Sequence, residues 1–187
     1  CEVFFRGIYL FDDLIINGSF DRLLLRPRGI LFQVFCEKVS FMKLSRLLQA
    51  IVLLIIAIIK VDVMWTISKI ITLVFMLFSS VIIFLSIFIL TASYCFFTIK
   101  GLEVRNVLTD GSRHMAQYPI GIYNKIVKTF FTYIVPIGLT SYYPMLYITG
   151  SSDRWWYILL PLLSLITLVP ACLIFNAGMK KYKSTGS

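Results

Sequence analysis

Residues 70–99 read IITLVFMLFSSVIIFLSIFILTASYCFFTI, thirty positions without one Asp, Glu, Lys, Arg or His, closed by Lys69 and Lys100. A helix that is apolar all the way round has no face to give to water, and ~20 such residues are enough to cross a hydrocarbon core. As straight helix this run is ~45 Å long against a core of ~30 Å, so it must tilt or emerge from the membrane. Two further charge-free runs follow, Thr129 to Ser152 and Trp155 to Met179. The expected fold is all-α, a polytopic membrane helix bundle.

The composition agrees with lipid as the main solvent. Of 187 residues, 59% are hydrophobic and only 14% charged, where soluble domains carry about 25% charged residues. A net charge of +9 in a soluble chain would point to nucleic acid. Here the charges lie in short segments between apolar runs, where they set topology, and membrane lipids rather than nucleic acid are the expected contact. Cys1, Cys36, Cys95 and Cys172 show no paired spacing, so neither a disulfide framework nor a metal site is expected. A start at Cys1, with no Met and no signal-peptide pattern, is read as a chain that begins inside a longer protein.

Four spans are expected, at about 46–61, 70–99, 127–148 and 156–178, within a transmembrane domain of residues 46–187. Residues 1–45 form an interfacial segment and a first loop. In Cys1 to Ile16 a helix places Glu2, Arg6 and Asp13 on one face and Phe4, Ile8, Phe11 and Ile15 on the other. That pattern fits a helix lying on the membrane surface, or the tail of a preceding span. Asn17-Gly18 is a turn, Ser19 is placed to cap a short helix running to Arg26, and Pro27 ends it. The charge-free core of the first span, Leu47 to Ile59, is short. It either spans by letting Arg46 and Lys60 snorkel to the two surfaces or forms a re-entrant hairpin.

Six Lys and Arg lie in residues 17–46 (Arg22, Arg26, Arg28, Lys38, Lys43, Arg46) and five in residues 100–128 (Lys100, Arg105, Arg113, Lys125, Lys128). The tail adds Lys180, Lys181 and Lys183, while the opposite side holds only Lys60, Lys69 and Arg154. The positive-inside bias puts the loops 17–45 and 100–126 and the C-terminus in the cytoplasm. Trp65, Trp155 and Trp156 then all fall on the outer side, as an aromatic belt requires.

No acid, base or histidine lies in the three long runs, which leaves no proton relay along them. Lys183-Ser184-Thr185 lacks the glycines of a nucleotide-binding loop, and no nucleophile, base and acid cluster marks an enzyme. Thr72, Ser79, Ser86 and Ser93 recur every seven residues along the long run and form one slowly drifting stripe. Small hydroxyl residues let helices approach closely in lipid, so this stripe is read as a packing face, with a pathway lining as the alternative. Pro136 and Pro144 either kink the third span or break it into a helix and a short re-entrant or surface piece.

The stretch Gly18-Ser19-Phe20-Asp21-Arg22-Leu23-Leu24-Leu25-Arg26-Pro27-Arg28 resembles the loop before the third span of type-2 ABC transporter permeases. Tyr118-Pro119-Ile120-Gly121-Ile122-Tyr123 is similar to the segment before that family's fifth span. Ile134-Val135-Pro136-Ile137, Tyr143-Pro144 and the ending Tyr182 to Ser187 resemble one bacterial branch of export permeases. The resemblance covers nearly the whole chain. It implies the last four spans of a six-span permease in the bacterial plasma membrane, paired with a second permease copy or paralogue.

It also implies cytoplasmic ABC ATPase subunits as partners, so that the chain binds no cofactor directly and ATP acts through the partner. Gly18, Ser19, Phe20, Asp21, Arg22, Leu23, Arg26, Pro27 and Arg28 would then form the ATPase-coupling loop. Phe20 and Leu23 would project as an apolar knob, and His114, Tyr118 and Pro119 would belong to a second cytoplasmic loop. The arginines holding anionic lipid headgroups is the other reading of the first loop. The alternative function is a non-transport membrane scaffold whose loops bind some other partner.

Overall fold

A computed structural model describes residues 3, 5–38, 40–98 and 101–182, with 101–103, 105 and 115 described by backbone alone. The expectations placed on Cys1, Glu2, Phe4, Ile99, Lys100 and residues 183–187 lie outside the described residues, as do those on the side chain of Arg105. Helices follow in the order α1 (Arg6–Tyr9), α2 (Phe11–Ile16), α3 (Ser19–Leu24), α4 (Ile30–Glu37), α5 (Leu44–Lys60), α6 (Ile67–Cys95), α7 (Gly101–Gln117), α8 (Lys125–Thr129), α9 (Tyr143–Ile148) and α10 (Leu165–Lys181). Among the described residues there is no strand. The fold is an all-α membrane bundle.

Three helical stretches are long and apolar enough to cross a membrane among the described residues: Phe41–Lys60, Ile67–Cys95 and Leu160–Lys181. The first of these begins with a 3-10 turn, Phe41–Lys43, that leads into α5. It reaches twenty residues because Lys43, Arg46 and Lys60 join the apolar core at its ends, where long cationic side chains can keep their heads in water.

The third expected span, 127–148, is not one continuous helix. After α8 come two π-helical turns, Phe130–Ile134 and Gly138–Tyr142, then α9. The break falls at Val135, at φ −112° and ψ 87°. Pro136 supplies the reason: its ring disfavours helical geometry in the residue before it, and it has no N–H for the ladder. Thr140 and Ser141 donate their hydroxyls to the carbonyl of Ile137, at 3.1 and 2.7 Å, and so occupy acceptors near the break. The last expected span likewise opens with two 3-10 turns, Trp155–Ile158 and Leu160–Ser164, before α10.

The chain divides into two compact units. The first gathers the described residues of Cys1–Asp62, Phe88–Leu102 and Ile174–Ser187. In it the single amphipathic helix expected for residues 1–16 is split at Leu10. Its apolar face, Ile8, Phe11 and Ile15, is buried against protein, so this face is not left for the membrane surface. Helix α1 lies hard on α4, where a Cβ at Gly7 would collide with the carbonyl oxygen of Val34. Only glycine fits there.

The second unit holds the described residues of Val63–Ile87 and Glu103–Leu173. Its core joins Ile83 and Ile87 of α6 to Val135 and Ile137 at the break, with Leu108, Phe130 and Phe131 packed around them. The expected second cytoplasmic loop contains a full helix, α7. It carries charged and polar residues on most turns, so no charge-free run announced it.

Candidate functional site: a short helix with a basic extension and a buried hydroxyl stripe

Gly18 joins α2 to α3. Its φ of 64° is left-handed, a conformation that glycine adopts without a Cβ penalty, and it lets the chain reverse in one residue. Its N–H reaches the carbonyl of Ile15 at 3.1 Å, and its own carbonyl accepts from Asp21 N–H at 3.3 Å. Gly18 is therefore the cap of α3. Ser19, expected in that role, is instead the first helical residue, and its hydroxyl accepts a bond from Arg22 at 3.2 Å. The helix ends at Leu24, earlier than Arg26.

The spacing of Phe20 and Leu23 puts them on one face of α3, and that face points inward. Phe20 is 0% exposed and Leu23 is also buried, which overturns the expected apolar knob. Phe20 sits edge-on to Phe11 (ring centroids 5.2 Å apart), Phe96 (5.6 Å) and Tyr182 (5.1 Å). Phe175 completes the cluster at 5.6 Å from Phe11 and 5.3 Å from Phe96. Edge-to-face ring pairs of this separation add to the energy of area burial alone. Close packing continues behind the rings, where a Cβ on Gly178 would come within 2.7 Å of the Phe96 ring. Phe96 directly follows α6, Tyr182 directly follows α10 and Phe175 lies within α10.

The outward side of the same segment is cationic. Arg22, Arg26, Pro27 and Arg28 are exposed and Asp21 is partly so. Leu25 is 85% exposed. Asp21 stands in the first turn of α3, where a carboxylate meets the positive end of the helix dipole.

His114 lies exposed in the last turn of α7, and its carbonyl accepts from the Tyr123 hydroxyl at 3.5 Å. Tyr118 and Pro119 are exposed just beyond. Pro119 accounts for the end of α7, because the residue before a proline is pushed out of helical geometry.

All four stripe residues of α6 are buried: Thr72, Ser79, Ser86 and Ser93. Thr72, Ser86 and Ser93 donate to carbonyls one turn earlier, at 2.7, 2.9 and 2.7 Å, which quiets their hydroxyls inside an apolar setting. Ser86 also accepts from Thr167 of α10 at 3.1 Å. One turn before Thr72, Ser68 accepts from Tyr147 of α9 at 3.1 Å. No spacing in the sequence pairs Thr167 with Ser86, Tyr147 with Ser68, or Phe11, Phe96 and Tyr182 with Phe20. An isolated hydroxyl or aromatic in an apolar run carries no spacing signal that names its partner. Among the described residues no group of three or more His, Cys, Asp and Glu assembles.

The sequence model of the family described as ABC-2 family transporter protein matches residues 1–186. No curated protein and no solved structure matches the chain.

Proposed function

The chain belongs to the ABC-2 family of transporter proteins, and from that membership we propose that it is the membrane-spanning permease subunit of an ATP-driven exporter. ABC-2 proteins are membrane components of ABC transporters, and the apolar helices fit a membrane-embedded role. ATP is hydrolysed on a separate cytoplasmic ABC ATPase, and a second permease subunit completes the path. Residues 17–45 and 100–126 and the C-terminus face the cytoplasm, with the protein in a bacterial plasma membrane.

The observation that carries this reading is the two-sidedness of α3. Its inner face, through Phe20, is packed against Phe96, which follows α6, and Tyr182, which follows α10. Its outer face presents Arg22 to solvent. Force applied to the outer face by a partner is delivered through close-packed aromatic contacts, which resist compression, to the ends of two membrane helices. The arginine meets a complementary acidic surface on the ATPase. Phe20 is thus a positioning residue between ATPase and spans, in place of the docking knob.

The test is co-purification. The full-length protein, co-expressed with its cognate ATPase and extracted in mild detergent, is expected to bring the ATPase with it. A permease that stays alone under these conditions overturns the proposal.

A further inference from the structure

Between the end of the Gly18 to Arg28 segment and α4 lies a cleft of about 450 Å³. Two basic residues, Arg26 and Arg28, line it with one acidic residue, Glu37, and the apolar Pro27 and Phe32. Among the described residues neither guanidinium is paired with a carboxylate. The turn that carries them is fixed from below. Gln33, also on the wall and 7% exposed, donates its amide to the carbonyl of Arg28 at 2.8 Å. Arg28 N–H in turn reaches the carbonyl of Arg26 at 2.8 Å. The Gln33 amide oxygen is buried and has no hydrogen-bond partner among the described residues. Arg26 and Arg28 thus stand on a braced turn and line a cleft of ligand size.

The surroundings decide which anion. Phe32 is 60% exposed, and Leu25, Phe41 and Met42 stand in the open as well. The apolar helix that begins at Phe41 starts only a few residues beyond Glu37 and has no buried residue in α5. A soluble protein partner does not cover an exposed membrane-crossing helix, whereas lipid covers it and the apolar rim together. Arginine is the side chain best matched to a phosphate, through its planar fork, and basic residues at the cytoplasmic end of a span attract anionic lipid. We infer that this cleft holds the phosphate of an anionic phospholipid headgroup, bound by Arg26 and Arg28, with Phe32 and Pro27 against the glycerol and first acyl carbons. This assignment rests on membrane residence and not on ATPase coupling. It leaves Arg22 for the partner and ties the coupling segment to the bilayer beside it.

Cys36 also lines the cleft, is exposed and is a free thiol, which makes it a built-in reporter. The full-length protein in delipidating detergent is alkylated with a charged maleimide, and the Cys36 peptide is followed by mass spectrometry. Dihexanoyl phosphatidylglycerol is expected to slow Cys36 alkylation about fivefold, the slowing that ~80% occupancy gives. The same concentration of dihexanoyl phosphatidylcholine or of inorganic phosphate is expected to leave the rate unchanged. Arg26→Gln/Arg28→Gln is expected to abolish protection with no change in melting temperature, since both side chains are exposed. The wild-type comparison of the two lipids stands even if that variant folds poorly. The inference is overturned if phosphatidylglycerol gives no protection, or if phosphatidylcholine or inorganic phosphate protects equally. Protection that survives in the folded double variant, or that only the cognate ATPase supplies, also overturns it. Co-purification of that ATPase is scored separately, so the two proposals fail independently.

Discussion

Helix α3 has six residues, two of them charged, and buries Phe20 and Leu23; helix α5 has seventeen, nearly all apolar, and buries none. In water the opposite would hold, because apolar area drives burial. In a bilayer lipid tails are as apolar as leucine, so an Ile- and Leu-rich helix gains little by leaving lipid for protein. What selects protein contact is fit: small hydroxyls that allow close approach, and aromatic rings that interlock. Helix α6 lies between these extremes. It is more apolar than α5 but carries the stripe, and its buried residues include all four stripe members.

The largest expected effect comes from emptying the α3 contact. Phe20→Ala removes a fully buried ring from the five-ring cluster, and core truncations of this kind cost ~3–5 kcal/mol. Unfolding titrations in mixed micelles check this, and a loss under ~1 kcal/mol would show that the inner face of α3 is not anchored.

Overfilling the stripe ranks next. Ser86→Phe on α6 inserts a ring where Thr167 sits 3.1 Å away, and overpacking costs ~1–3 kcal/mol. The same enlargement on α5, Ile55→Phe at a position 51% exposed, is expected to stay within ~0.5 kcal/mol. Equal losses at the two positions would erase the distinction between the helices.

The smallest effect is the hydroxyl pair itself. A double-mutant cycle of Ser86→Ala and Thr167→Ala should return ~0.6 kcal/mol, the usual size of such bonds between membrane helices. A coupling energy indistinguishable from zero would make the stripe a matter of shape alone.

The sequence made the membrane class and the long helix α6 plain, because thirty positions without charge admit few other readings. The heptad spacing of Thr72, Ser79, Ser86 and Ser93 puts them on one face of any helix, small hydroxyls suit close approach in lipid, and that face is buried in the structure. The break at Val135 was open to two outcomes, since a proline permits both a kink and an interruption. Helix α7 falls within the expected cytoplasmic loop, and its polar residues hide the boundaries that charge-free runs show. The direction of Phe20 departs from the expected outward projection for a deeper reason: its ring partners are Phe11, Phe96 and Tyr182, two of them far away in sequence. Local spacing identifies a face but cannot say what lies opposite it.

The most direct test of the two-sided α3 is the ATP turnover of the cognate ATPase in proteoliposomes containing the full-length permease, wild type or Arg22→Glu. Wild-type permease is expected to raise the turnover, and Arg22→Glu to abolish the increase while leaving the melting temperature unchanged. Full stimulation by a folded Arg22→Glu protein would rule out docking of the ATPase through the outer face of α3.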